Sequence, residues 1–447
     1  MALVVGAQLL AGCARTYSPP ETDVPPRWSE APANSAMAPG ENAAENKRWW
    51  EAFGDPGLDA LIDAALRSNN DLAVAAIKLR EAKLRAGLVD TNLAPNVTTG
   101  GTGSWSRDLR AGVSTQSNGV SLGLAYEVDL WGKLAAERDV AHWEADATEA
   151  DCQAAALSLI GTTASLYWQI GHLNASIATS DDGIAYGEKL LDLVQTRHAD
   201  GNASALDIAQ AEQSLANQRI SRSQLLQQRE AARHALALLL DRPPEKAATE
   251  PARLSKRAPA VRAGIPAAVL ARRPDVRAAE LRLREDFSNI HVTRAGFYPT
   301  ISLTGNLGSA SSQLSDLLSH SVASLQTAVD VPVQWNTAQL TVAVSQTQYE
   351  EAATGFRQTL YKALGEVEDA LSAQAQLRAQ AYYFEQSVEA ARRAEGLLEI
   401  QYRAGAVPLK SWLDQQDLLR TAILAVDQNR LDRLNAAMKL YQALGGA

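Results

Sequence analysis

Apolar and polar side chains alternate along residues 119–131. The even positions are apolar, and the odd positions between them are small or polar. A period of two indicates a β-strand with one apolar and one polar face. Such a strand could separate core from water in a soluble sheet, or lipid from lumen in a transmembrane barrel. The apolar residues are Val120, Leu122, Leu124, Tyr126, Val128 and Leu130.

A second alternating stretch lies in the C-terminal half. Weaker strands, rich in Thr, Ser and Gly, precede both stretches at about 96–106 and about 299–309. The sequence therefore predicts two strand pairs, at about 95–131 and about 299–335. In the second alternating stretch the positions that carry the apolar face are odd: Leu325, Thr327, Val329, Val331 and Val333.

Long helices are predicted beside these strands. No strong helix breaker occurs from Gly132 to about His198, and apolar residues recur there at helical spacings. At about 1.5 Å per residue such a helix would be on the order of 100 Å long. Shorter helices are predicted at about 57–93 and 204–240. Gly201 and Gly405 are expected to mark the reversals between the long and the shorter helices.

The two halves of the chain are alike. A first repeat at 49–241 and a second at 266–447 are separated by a Pro-bearing linker at 242–265. Because one offset holds over such a long stretch, the chain is interpreted as an internal duplication. The odd parity of the second strand then requires a slip of one residue, through a bulge or an insertion. An offset of 204 (275 − 71) relates Asp71 to Asp275, Pro95 to Pro299, Trp131 to Trp335, Gly201 to Gly405 and Leu240 to Leu444.

Four strands in one chain are too few to close a barrel. An open strand edge is not tolerated in lipid, because its backbone groups would lack partners. Two copies would give eight strands, with side chains filling the interior, and three would give twelve and leave a pore. The predicted fold class is mixed α and β: a tube of long helices joined to a transmembrane β-barrel that is completed by oligomerisation.

The N-terminus resembles a secretion signal. Residues 1–13 are apolar and end in Leu10-Ala11-Gly12-Cys13, which resembles a bacterial lipobox whose cysteine is acylated, although no Lys or Arg precedes the apolar stretch. The alternative is an ordinary apolar N-terminus. Residues 14–48, rich in Pro, Ala, Asn and Glu, are predicted to be an extended tether.

Composition and motifs argue against an enzyme and against a nucleic-acid partner. The chain is 46% hydrophobic and 21% charged, with a net charge of −9. The six histidines show no metal-ligand spacing, and no Gly-x-Ser-x-Gly elbow or phosphate-binding glycine loop occurs. No cofactor is predicted beyond a covalent lipid on Cys13. Glu366, Glu368 and Asp369 are interpreted as a solvated helix face, and Arg272-Arg273 as a basic turn before a helix.

Several motifs together resemble the TolC/OprM-like outer-membrane efflux protein family, and specifically its lipoprotein (NodT-type) branch. The resemblance implies a homotrimer with a 12-stranded barrel in the outer membrane and a 12-helix tube in the periplasm. It also implies two partners, a periplasmic adaptor (membrane fusion) protein and an inner-membrane pump. The motifs are Trp49-Trp50-Glu51-Ala52-Phe53-Gly54-Asp55-Pro56-Gly57-Leu58, Asp129-Leu130-Trp131-Gly132, Arg273-Pro274-Asp275-Val276, Phe297-Tyr298-Pro299, Gly365-Glu366-Val367-Glu368-Asp369-Ala370-Leu371 and Ala443-Leu444-Gly445-Gly446.

The family closes its conduit at the periplasmic tip, which the resemblance places just after Gly201 and Gly405. Asp414 matches a position that points into the constriction, so three copies would form an acidic ring. Asp207 and Tyr402 match positions that the family links by hydrogen bonds between coils. The alternative reading of both aspartates is an acidic residue near a helix N-terminus, favoured by the helix dipole. Lys410 departs from the family pattern.

The predicted function is the exit duct of a tripartite efflux pump, which conducts substrates passively. A duct for type I protein secretion is the alternative within the family. A periplasmic coiled-coil scaffold or adaptor is the alternative from another class, and the duplication and the alternating strand argue against it. The exported substrate cannot be read from the sequence, because the pump selects the cargo.

Overall fold

A computed structural model describes residues 17–30, 48–244, 250–251, 254–255, 258–259 and 266–446. The predicted order of elements is present in both halves. The first half contains α1 (Pro56–Ser68), α2 (Asn70–Asp90), β1 (Asn96–Arg107), β2 (Ser114–Val128), α3 (Lys133–Ala199) and α4 (Ala205–Leu239). The second half contains α5 (Pro266–Arg272), α6 (Pro274–Ala295), β3 (Thr300–Ser311), β4 (Ser321–Asp330), α7 (Trp335–Arg403) and α8 (Leu409–Ala443).

The described residues form two compact units. The sheet unit contains residues 77–151 and 275–359 together with the described residues before Val24. The helical unit contains residues 24–76, 152–274 and 360–447 as far as they are described. No helix of the described chain is both long enough and apolar enough to cross a membrane.

The sheet is antiparallel, with strand order β1-β2-β3-β4. Leu122 of β2 lies opposite Thr99 of β1 and Leu307 of β3, and Leu307 lies opposite Ala323 of β4. The even residues of β2 therefore share a face with the odd residues of the other three strands. Most of the larger side chains of this face are exposed, and Leu325 on β4 reaches 77%, whereas Tyr126, Ile301 and Leu303 are half-buried.

The slip of one residue between the repeats lies in the second hairpin. Asn96 pairs with Ala125 in the first hairpin, and Thr300 pairs with Asp330 in the second. Thr300 is 204 positions after Asn96, whereas Asp330 is 205 positions after Ala125 (330 − 125). The extra residue therefore falls between β3 and β4, in the loop rather than in a bulge. Between the end of β4 and the start of α7 the second repeat has one residue fewer than the first, because Trp335 again follows Trp131 by 204.

The helix predicted at 57–93 is divided in two at Asn69. Asn69 has extended backbone angles (φ −67°, ψ 128°). Its side chain accepts a hydrogen bond from the Leu72 amide (2.9 Å) and donates one to the Leu239 carbonyl (3.1 Å). The side chain of Asn69 thus caps the first turn of α2 at the Leu72 amide and also pairs a carbonyl at the end of α4.

The core of the helical unit joins residues distant in the sequence. Trp49 stacks on Tyr441 with ring centroids 5.0 Å apart, and Phe53 lies 4.9 Å from Trp168. The N-terminal aromatic motif thus packs against the last helix. The largest fully buried side chains of this core are Leu58, Ile62, Trp168, Ile170, Leu236, Leu434 and Met438.

Two groups of charged residues make contacts that the sequence did not predict. Arg273 stands directly before α6, as expected of a basic turn before a helix, but it is buried and donates to the Ala443 carbonyl (3.1 Å) and to the Glu366 carboxylate (2.6 Å). Glu368 accepts hydrogen bonds from the amides of Ser29 (2.7 Å) and Glu30 (3.1 Å). Glu366 and Glu368 are therefore half-buried and make tertiary contacts, because the folded chain brings donors to them, whereas Asp369 is exposed as expected of a solvated helix face.

Candidate functional site at the hairpin tips

Both helical hairpins reverse through the same turn. In the first, the Asn202 amide donates to the Arg197 carbonyl (2.7 Å), and Gly201 has φ 78°. In the second, the Ala406 amide donates to the Gln401 carbonyl (2.9 Å), and Gly405 has φ 75°. This is the Schellman pattern, which requires a left-handed residue after the helix and therefore favours glycine.

The first returning helix, α4, begins with a capping box. The Ser204 hydroxyl accepts from the Asp207 amide (3.2 Å), and the Asp207 carboxylate accepts from the Ser204 amide (2.8 Å). The Ser204 hydroxyl lies 2.8 Å from the same carboxylate oxygen. Asp207 thus stabilises the start of α4, as the helix-terminus reading expected. Its role in a gate stays a prediction.

An aromatic cluster lies beneath the tip. Trp412 on α8 is 1% exposed, and its ring lies 5.3 Å from the ring of Tyr402 on α7. Its indole N–H donates to the Glu395 carboxylate (2.8 Å). Tyr186 on α3 meets Trp412 edge-on at 6.4 Å. The tip cluster consists of Leu190, Val194, Ala211, Tyr402, Leu409, Trp412 and Leu413, and it joins both hairpins of one protomer.

Tyr402 is buried in this cluster. Its hydroxyl is buried and has no hydrogen-bond partner among the residues that the structure describes. The Arg197 guanidinium lies over the ring, 5.0 Å from the centroid. The pKa of the Tyr402 hydroxyl is raised, mainly because the group is buried. The charge of Arg197 lowers this pKa and the charge of Asp207 raises it, both by less than burial does. Among the described residues of one protomer, no hydrogen bond joins Asp207 to Tyr402.

Asp414 is exposed and paired. The Lys410 ammonium lies 2.8 Å and 3.0 Å from its two carboxylate oxygens, one turn earlier on α8. The two side chains are 65% and 59% exposed. At this exposure the pair contributes little stability, but it cancels the charge of each aspartate. Each protomer thus presents a neutral Lys–Asp pair where the sequence predicted an acidic residue.

Three residues that hold the tip together were not predicted from the sequence: Trp412, Arg197 and Glu395. One signal was available, since Leu409, Trp412 and Leu413 stand at positions i, i+3 and i+4, the spacing of a buried helix face. Cys13, the residue predicted to carry the lipid, lies outside the described residues. Within the described part of the chain, no group of three or more His, Cys, Asp or Glu side chains could hold a metal ion.

Comparisons with known proteins agree with this architecture. The sequence matches the family described as "Outer membrane efflux protein" twice, over residues 61–242 and 265–446. It is 33% identical over 445 residues to the pyoverdine export outer membrane protein OpmQ of Pseudomonas putida, covering 95% of this chain and 94% of that protein. It is 29% identical to a probable efflux pump outer membrane protein, TtgC, of Pseudomonas putida, covering 100% of this chain and 95% of that protein.

The fold is likewise similar to solved structures. The open state of the MtrE outer membrane channel of Neisseria gonorrhoeae superposes with a TM-score of 0.83 at 26% identity, covering 96% of this chain and 97% of that one. The two family matches begin 204 residues apart (265 − 61), which is the offset of the internal repeat. From sequence, repeat and fold together, the chain belongs to the outer membrane efflux protein family.

Proposed function

We propose that the chain is one of three identical protomers of an outer-membrane exit duct, which conducts substrates passively from a pump to the exterior. The observation that carries the proposal is the combination of an exposed apolar sheet face with two open strand edges. A sheet with that face in lipid must close on other copies of itself. Three copies give twelve strands, enough to leave a pore.

The proposed duct is closed at the hairpin tips. The tip cluster ties the α3–α4 hairpin to the α7–α8 hairpin within each protomer, so opening requires these contacts to rearrange. We place the Lys410–Asp414 pairs at the constriction, where three copies form a ring of alternating charge with no net charge. Such a ring holds the tips by ion pairs but selects weakly between cations and anions.

The proposed partners are a periplasmic adaptor and an inner-membrane pump. The tips, which carry the exposed pairs, are the part of the chain that such partners would engage and open. An acyl group on Cys13 would anchor the N-terminus in the inner leaflet of the outer membrane. The names of the relatives refer to pyoverdine export and to an efflux pump. In line with these names, the cargo that we propose for this chain is a small exported compound.

Single-channel conductance in a planar bilayer tests the proposal. Wild-type protein is expected to give small, mostly closed events. Asp414→Ala leaves Lys410 unpaired and three positive charges at the ring, which repel each other and favour open, anion-selective states. Lys410→Ala leaves three negative charges and favours open, cation-selective states.

The matched control is Glu389→Ala, which removes an equally exposed ion pair with Arg392 on α7. It is expected to leave conductance and selectivity unchanged. Opposite shifts of the reversal potential in the two tip variants support the gate. If both tip variants have the conductance and reversal potential of the wild type, the assignment of the gate is wrong although the protein is still a channel. If folded trimers never conduct, the proposed duct itself is contradicted.

A further inference from the structure

The internal repeat carries information about the contact between copies. Among the described residues the strand order leaves β1 and β4 as the edges of the sheet. In a closed barrel of identical protomers, which is the function proposed above, β4 of one copy must pair with β1 of the next. We call this contact the β4–β1 seam. Within the chain, its counterpart is the pairing of β2 with β3, because both join one repeat to the other.

We propose that the β4–β1 seam repeats the register of β2 with β3, and that this places Trp105 of one copy opposite Leu325 of its neighbour. Pro95 directly precedes β1 and Pro299 directly precedes β3, so β3 follows β1 by 204 positions. With that offset, the two hairpin registers place β4 205 positions after β2. Leu122 of β2 pairs with Leu307 of β3. The residue of β4 equivalent to Leu122 is Thr327 (122 + 205), and the residue of β1 equivalent to Leu307 is Gly103 (307 − 204), so the repeated register pairs Thr327 with Gly103. The pairs on the apolar face within β4 are then Gly101 with Val329, Gly103 with Thr327, and Trp105 with Leu325. The same register continued beyond the end of β4 brings Thr99 and Val97 to the level of Val331 and Val333.

The side chains on the two edges agree with this register. Trp105 is 66% exposed and Leu325 is 77% exposed, and the seam covers each with the other. An aromatic ring opposite an aliphatic side chain is a stabilising cross-strand pair. Farther along, Gly101 and Gly103 lie opposite Val329 and Thr327, so small residues on one edge face β-branched residues on the other.

Other registers conflict with the faces of the sheet. A shift of one residue would place the apolar odd positions of β1 opposite the polar even positions of β4, such as Gln326 and Asp330. A shift of two residues preserves the faces, but it places Trp105 opposite Ala323 or Thr327 and changes the stagger between neighbouring strands. The repeated register keeps that stagger the same at the seam as inside the chain.

Disulfide crosslinking between copies tests the register. In a Cys152→Ser background, one variant carries Thr102→Cys with Ala328→Cys, and a second carries Gly103→Cys with Thr327→Cys. In an antiparallel pair, successive opposed residues alternate between a longer and a shorter Cα–Cα distance. One of the two variants therefore has its cysteines at the shorter Cα–Cα distance. We expect oxidation to convert that variant into covalent trimers on non-reducing gels, and reduction to reverse the change.

The controls shift one cysteine by two residues along β4, as Thr102→Cys with Gln326→Cys or with Asp330→Cys. Diagonal neighbours lie about 7–8 Å apart, so these variants should crosslink at least about tenfold more slowly. Faster crosslinking in a shifted variant overturns the proposed register while leaving the trimeric duct intact. Absence of crosslinking in all four variants, with native mass spectrometry still showing trimers, overturns the β4–β1 seam. A monomeric mass for the unmodified protein would instead contradict the proposed duct.

Discussion

Replacing Trp412 should loosen the tip of the molecule more than any other part. The indole is 1% exposed, lies against Tyr402 and donates a 2.8 Å hydrogen bond to Glu395. Truncation of a fully buried tryptophan to alanine costs about 3–5 kcal/mol. Trp412→Phe keeps an aromatic ring in place but loses the hydrogen bond to a carboxylate, which costs about 1–2 kcal/mol.

These costs can be measured as amide hydrogen exchange at the tip. If the first turns of α8 exchange through local opening, the free-energy losses convert directly into protection factors. Trp412→Phe should lower protection about tenfold, because about 1.4 kcal/mol corresponds to a factor of ten. Trp412→Ala should lower it at least about 100-fold on the same scale.

Trp168→Ala is the matched control, since Trp168 is equally buried but belongs to the aromatic core around Phe53 and Leu58. It should destabilise the helical unit without selectively exposing the amides at the start of α8. Unchanged exchange at the tip in Trp412→Ala, or an equal loss there in Trp168→Ala, would refute the view that the tip cluster holds the hairpins together.

Three further predictions concern single side chains. Ser204→Ala removes the cap of α4 and frees Asp207, so it should cost about 1 kcal/mol, measured as faster exchange in the first turn of α4. Arg273→Met leaves a buried carbonyl and a carboxylate without their donor and should lower the unfolding free energy by about 2–3 kcal/mol, whereas Arg272→Met at an exposed position should not. Burial, assisted by nearby carboxylates, raises the pKa of Glu285 on α6 to about 7. Because the folded state holds this proton more tightly than the unfolded state, the thermal midpoint should fall as pH rises from about 4.5 to about 7. Glu285→Gln should flatten that dependence, and a slope unchanged by the substitution would contradict it.

Strands and helices could be predicted well from the sequence where one local pattern dominated. The alternation from Val120 to Val128 identified β2, because period two cannot be satisfied by a helix. The long uninterrupted helices followed from the absence of breakers, and the glycines at 201 and 405 located both reversals. The division at Asn69 was missed because it depends on the Leu239 carbonyl, which is distant in the sequence.

The tip shows what local reasoning left out. The prediction of an acidic ring at Asp414 did not consider the ion pair that this carboxylate forms with Lys410, one helical turn earlier. That pairing could have been noticed from the i, i+4 spacing. The contact of Trp412 with Tyr402 and Glu395 could not, since it depends on the register of α8 against α7. The same limit applied to Arg273, whose partners lie on α7 and at the end of α8.

The sequence by itself determined the order of the elements, the duplication and the two faces of the sheet, because all three follow from periodicity and from an offset along the chain. Only the tertiary structure decided where the one-residue slip falls, which charged side chains are buried and what holds the tip closed. These depend on which distant backbone and side-chain groups meet, and a burial or pairing energy exists only once both partners are in place.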